Sequence, residues 1–223
     1  MSHSILLHKL KHKFGIEGNL LSWITDYLNH RSQITIVNST QSDERNPTCG
    51  FPQGSVLGPV LFSLYTNDMP ASVVLSTLYL YADDSTNYSI GSTVDEVCSL
   101  LNIVLDEFNK WCMANSLTPH SGKCEAMLFY RGSFIGSYPV MTIGNETISW
   151  ICHARLLLGI TMDHKLTWTK HLTELKKNFV DKLNLLRKCS FLTRKFLLDL
   201  YFKTILPSVT SAITLWGDHI KSL

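Results

Sequence analysis

Asp83 and Asp84 stand side by side where the apolar, aromatic run Leu78-Tyr79-Leu80-Tyr81-Ala82 stops and a mixed polar run, Ser85-Thr86-Asn87-Tyr88, begins. The pattern predicts strand, tight turn, strand, with both carboxylates at the tip of a hairpin. Carboxylate oxygens held on a rigid turn suit Mg²⁺ or Mn²⁺, hard cations that are often shared with a substrate phosphate. Asp is also a favoured turn residue in its own right, because its side chain bonds nearby backbone N–H groups. Two aspartates alone therefore leave a metal site and a plain turn both open.

A second stretch lies upstream: Gly50-Phe51-Pro52-Gln53-Gly54-Ser55-Val56-Leu57-Gly58-Pro59-Val60-Leu61-Phe62. Its Pro and Gly content predicts a loop at 52–55 and a helix from Val56 to Tyr65, with Pro59 tolerated in the first turn. Glycines allow a backbone to approach a base or phosphate, and Gln53 offers both donor and acceptor. Taken in order and spacing with Tyr81-Ala82-Asp83-Asp84, this stretch resembles the paired signature of reverse transcriptases, in particular those of non-LTR (LINE-type) retrotransposons.

The resemblance implies an α+β fold: a polymerase palm with an antiparallel sheet, helices on one face, and part of a helical thumb. It divides the chain into connecting fingers and palm elements over 1–48, palm over 49–163 and partial thumb over 164–223. Asp83 and Asp84 become catalytic metal ligands, and Pro52, Gln53, Gly54, Ser55 and Lys123 become contacts to incoming nucleotide and template. Leu158, Gly159 and Ile160 resemble the strand that grips the primer, with Asp163 and Trp168 at its exit. Lys170, Lys176 and Lys177 fall on a helix whose basic face would meet nucleic-acid backbone. The implied partners are an RNA template, a DNA primer, deoxynucleoside triphosphates and the rest of a retrotransposon polyprotein. Residues 2–10 resemble the family sequence just downstream of its first catalytic aspartate, and residues 1–16 hold neither Asp nor Glu. The expectation is a polymerase fragment that lacks this ligand and is inactive by itself; the other reading is a non-catalytic RNA- or DNA-binding remnant.

The elements that must position these residues follow from periodicity. Ile5, Leu6, Leu10 and Phe14 have helical spacing up to Gly15, and Leu20, Leu21, Ile24, Tyr27 and Leu28 form a second stripe. Gln33 to Asn38 alternates as a half-buried strand does. Thr93-Val94-Asp95-Glu96 is a capping box ahead of a long helix carrying Val97, Leu101, Val104, Phe108 and Trp111. Cys124 to Tyr130 reads as a returning strand, Val140 to Trp150 as a hairpin around Gly144-Asn145, and Arg155 to Thr161 as one buried apolar strand. Trp168 to Lys188 and Thr193 to Leu206 read as helices, the second ending at Pro207. Lys123 before the returning strand and Gly159 within the apolar one also have plain structural readings, a solvated lysine and a packing glycine.

Composition bounds the rest. The 223 residues are 45% hydrophobic, enough for a sizeable core, and the net charge of +2 gives no global pull toward nucleic acid. Six cysteines without a C-x-x-C pair predict reduced, intracellular thiols rather than a disulfide or zinc framework. The most apolar stretch, Phe196 to Trp216, is interrupted by Asp199, Lys203 and Pro207, so no membrane span is expected.

Overall fold

The computed structural model describes residues 1–29, 31–52, 54–130, 132, 134, 136–151 and 155–218, with only the backbone described at 155–157. The fold is a mixed α+β one that divides into two units. The first comprises Met1–Cys124 with Tyr138–Ile148, the second Glu125–Ser137 with Ser149–Leu223.

In the first unit, α1 (His3–His12), α2 (Gly18–Asn29) and α3 (Leu57–Thr66) bury one face each around Leu6, Leu10, Ile24, Leu28, Leu61 and Tyr65. These are the apolar positions at three- and four-residue spacing, which a helix gathers on one stripe. Leu6 and Leu10 are fully buried, and truncating either would leave a cavity. α4 (Val94–Ala114) begins at Thr93, whose hydroxyl accepts from Glu96 N at 3.2 Å. The Glu96 carboxylate reaches back one residue further than a standard capping box, accepting from Ser92 N at 2.9 Å. α4 buries Cys98, Val104, Phe108, Trp111 and Cys112.

The strands of this unit are short. β1 (Ile36–Val37) and β2 (Thr40–Gln41) pair through a turn at Asn38-Ser39, both at positive φ. The expected half-buried strand at 33–38 is corrected here: Ile34, Ile36 and Val37 are exposed, because among the described residues no element covers either face. β3 (Thr77–Tyr81) and β4 (Asp84–Tyr88) form the longest ladder. β6 (Thr142–Ile143) and β7 (Glu146–Thr147) meet at Gly144-Asn145 as the sequence predicts, with Gly144 at φ +58. Asn102 of α4 fixes this hairpin, donating to Val140 O and accepting from Thr142 N, both at 3.0 Å.

In the second unit β5 (Glu125–Ala126) pairs in parallel with β8 (Ser149–Trp150), so the returning strand is two residues long. β9 (Arg155–Leu157) and β10 (Ile160–Met162) are antiparallel partners joined at Leu158-Gly159. β10 lies against α5 (Thr169–Lys188), and a core of Trp168, Leu172 and Trp216 gathers Ile160, Met162 and Leu175. Beyond α5, α6 (Arg194–Leu200) runs through a π-helical turn, Tyr201–Ile205, into α7 (Leu206–Thr210), followed by α8 (Ile213–Trp216). Pro207 does not stop the helix as expected. It sits in the first turn of α7, where a missing N–H costs no intrahelical bond.

Among the described residues, every ladder is two-stranded, and no single sheet joins them. No helix among them is long and apolar enough to cross a membrane. The described cysteines are free, and burial pushes the Cys112 thiol up to about 11 and raises that of Cys98. Cys49 is exposed. In the folded protein, Cys112 should therefore alkylate more slowly than an unperturbed thiol by about 100-fold from thiolate fraction alone. Mass spectrometry after limited iodoacetamide treatment should find Cys49 modified before Cys112, and equal labelling of the two would contradict the packing described.

Candidate functional site

The apolar-to-acidic boundary at Tyr81 to Asp84 folds as the alternation demands. Tyr81 pairs with Asp84, which leaves Ala82 and Asp83 as a two-residue turn, with Ala82 at φ +51. Leu78 and Leu80 share the half-buried face of β3, while Tyr79 and Tyr81 face solvent. Tyr79 stacks on Tyr88 across the ladder at 5.9 Å and 8°, a cross-strand aromatic pair that fixes the register of the hairpin. Asp83 is thereby held at the tip and Asp84 at the first position of β4, both exposed.

A divalent cation would find suitable oxygen donors here, but too few. Among the described residues no group of three His, Cys, Asp or Glu side chains converges as a metal site. Asp26 lies on α2 and Asp43 in the polar loop after β2, so neither substitutes for a third carboxylate. The pair fits a divalent ion in chemical kind and is incomplete in number.

The loop upstream is anchored at both ends. Gly50, at φ +83, donates from its N to Met1 O at 2.9 Å, and its carbonyl is 2.8 Å from His3 Nε2. Ser2 and Cys49 form an antiparallel bridge beside it. At the far end Ser55 N donates to Pro52 O at 3.2 Å, and Ser55 Oγ accepts from Gly58 N at 2.9 Å, which satisfies an open donor of α3. Pro52, Gly54 and Ser55 thus lie in a tight turn feeding α3, with Gly54 at φ +78 and exposed. Gln53 lies outside the described residues. Lys123 ends a short 3-10 turn, Ser121–Lys123, and is exposed.

Leu158, Gly159 and Ile160 do not belong to one buried strand. Leu158 and Gly159 are the two central residues of a turn, at φ +47 and +86, and Leu158 is exposed. Two positive φ values in a two-residue loop match the twist of antiparallel strands, which is why the apolar run folds back instead of continuing. Nothing lies within 4 Å of a Cβ built on Gly159, so an alanine there meets only the backbone penalty. Gly159→Ala is expected to cost about 1 kcal/mol in urea unfolding, the left-handed penalty for an L-residue. An unchanged midpoint would argue against this turn.

Asp163 caps the approach to α5. Its carboxylate accepts from Lys165 N, Thr167 N, Thr167 Oγ1 and Trp168 N at 2.9 to 3.3 Å. Burial works to raise its pKa, but these donors outweigh it and hold the carboxyl below its usual value. Lys170, Lys176 and Lys177 are exposed on α5.

One cluster escaped the sequence reading. Lys9 is buried on the apolar face of α1, and its ammonium donates to Tyr65 O and to Asp68 Oδ1, both at 2.7 Å. It also lies 5.0 Å from the ring centre of Tyr65 and 4.7 Å from that of Trp111. Lys13 pairs with the other oxygen of Asp68, and the Tyr65 hydroxyl donates to Asn115 O. Desolvation raises the Asp68 pKa, yet hydrogen bonds and charge from Lys13 and Lys9 bring it below its ordinary value. Burial lowers the Lys9 pKa, with Asp68 opposing. The available signal was position: Lys9 is three residues after Leu6, inside the stripe that α1 buries.

The sequence profile of the family described as reverse transcriptase (RNA-dependent DNA polymerase) matches residues 1–180, and the chain belongs to that family. Its curated relatives place it among the LINE-type, non-LTR reverse transcriptases. It is 28% identical over 229 aligned residues to the RNA-directed DNA polymerase from mobile element jockey of Drosophila funebris, covering 96% of this chain and 24% of that protein. It is 27% identical to the jockey polymerase of Drosophila melanogaster, over 99% of this chain and 25% of that protein. Identity to the probable RNA-directed DNA polymerase from transposon X-element of the same fly is also 27%, over 96% of this chain and 25% of the relative. The chain thus spans about a quarter of the length of these relatives. No solved structure matches it.

Proposed function

We propose that this chain supplies the Asp83-Asp84 turn of an RNA-directed DNA polymerase site, in a palm-like first unit followed by thumb-like helices of the second. The observation that carries the reading is the β3–β4 hairpin, which holds both carboxylates exposed at one tip within a chain of the reverse transcriptase family. Divalent ions bound there would orient phosphate oxygens and stabilise charge during nucleotidyl transfer. The chain's own contribution is positional. Stacked Tyr79 and Tyr88 fix the register, and the register fixes which residues reach the tip. Pro52, Gly54 and Ser55 of the anchored loop, together with Gln53 and Lys123, are assigned to nucleotide and template. Leu158 to Ile160 are assigned to the primer and Lys170, Lys176 and Lys177 to nucleic-acid backbone.

Two carboxylates leave the ion set incomplete, so residues 1–223 alone are expected to give no RNA-templated primer extension. The same residues grafted in place of the matching quarter of the jockey polymerase should regain it. Primer extension with both proteins tests this. Robust metal-dependent synthesis by the 223-residue chain alone would overturn the missing-ligand argument, and a non-catalytic nucleic-acid-binding remnant would bind template yet stay inactive in the graft.

A further inference from the structure

We propose that Trp23 and Tyr27 of α2, with Arg31 just past its end, form a stacking subsite for single-stranded nucleic acid, distinct from the Asp83-Asp84 hairpin. Trp23 and Tyr27 are four residues apart on α2, which sets their side chains one above the other at about 6 Å of rise, and Arg31 lies just past its C-terminal end. The rings of Trp23 and Tyr27 are stacked, 6.1 Å apart and 19° from parallel. The Arg31 guanidinium lies 4.4 Å from the Tyr27 ring centre, and its Nε donates to Tyr27 O at 2.7 Å. The ladder is rigid at its middle rung because Tyr27 packs against the buried core of the first unit. It is open at its outer rung, since Trp23 is 54% exposed although the helix core at Ile24 and Leu28 is already closed.

The chemistry selects the occupant. An exposed indole backed by a second ring offers a flat face of the kind on which nucleobases stack with little regard to sequence. A guanidinium oriented by its own Nε bond presents its other N–H groups to an anion, and phosphate oxygens match that fork. Among the described residues no ion pair to Arg31 is formed, and Asp26, the acidic residue nearest the ladder in sequence, has a partner of its own. Charge and shape together favour a base on Trp23 with a phosphodiester at Arg31.

The test is fluorescence anisotropy of a labelled 12-nucleotide oligouridylate, and of the matching oligothymidylate, with the full 223-residue chain. Trp23→Ala is expected to weaken binding about tenfold, the loss of one stacked base, whereas Trp23→Phe stays within about threefold of the parent. Arg31→Ala should weaken binding and lower the salt dependence by about one phosphate contact. Trp23 covers no core, so Trp23→Ala should melt with the parent; should it not, Trp23→Gln replaces it in the same assay. Wild-type affinity retained by both the Trp23 and Arg31 variants would overturn the proposal, and so would a parent chain that binds neither oligonucleotide, the result expected if the ladder receives a protein. Because the assay needs no catalysis, its outcome does not depend on whether the Asp83-Asp84 turn supports synthesis, and loss confined to the Trp23 and Arg31 variants is distinguishable from loss of the other nucleic-acid contacts.

Discussion

Replacing Asp68 by alanine is expected to destabilise the first unit by about 3 kcal/mol. Lys9 is buried, and Asp68 is its anionic partner at 2.7 Å. Without Asp68 the ammonium keeps the Tyr65 carbonyl and two aromatic faces but loses its charge compensation. A lone buried cation costs several kcal/mol, whereas replacing both partners by apolar groups is close to neutral. Lys9→Met combined with Asp68→Ala should therefore recover most of what Asp68→Ala alone loses, and urea unfolding of the two single variants and the double variant measures that coupling. Additive losses would show that the pair is not coupled. The pH dependence has a definite sign. A carboxyl held below its unfolded pKa of about 4 contributes stability that is complete above that value and is lost as pH falls through the folded pKa. The difference between parent and Asp68→Ala should thus shrink on acidification below about pH 4 and be nearly constant from about pH 5 to 7.

Asp83→Ala in the jockey graft is expected to lower RNA-templated extension by roughly 10³-fold or more, since the several kcal/mol that bound ions supply equate to about three decades in rate. The same substitution should leave stability within about 0.5 kcal/mol, because it is an exposed change away from core and caps. Asp83 is exposed on its turn, and no ion pair to it is formed among the described residues. A graft that loses extension only in step with its melting temperature would reduce Asp83 to a turn residue.

Which features were legible in the sequence follows from how local their physics is. The β3–β4 hairpin was readable because apolar alternation ends abruptly at two aspartates, and the register does place Asp83 in the turn. The Thr93 cap and the Gly144-Asn145 turn were readable for the same reason, as each is decided within a few residues. The Arg155 to Thr161 run was misread because its apolar residues signal a strand, while its reversal rests on Leu158 adopting a positive φ that leucine does not announce. Gly159 alone hinted at the turn. Gln33 to Asn38 has the alternation of a half-buried strand, yet burial is a tertiary property and no described element covers it. Lys9 shows the same limit from the other side. Its position inside the buried stripe is visible only once that stripe is packed, and its partner is 59 residues away, beyond the reach of periodicity.

The Asp83-Asp84 turn is proposed as the place where this chain meets divalent metal. Paramagnetic line broadening by Mn²⁺ in NMR spectra of the 223-residue chain tests it without requiring activity, and it detects the weak binding that two carboxylates can provide. The expected result is selective loss of the amide signals around Ala82 to Ser85 at low Mn²⁺, abolished in the Asp83→Ala, Asp84→Ala double variant. Broadening centred elsewhere, or unchanged in the double variant, would contradict it.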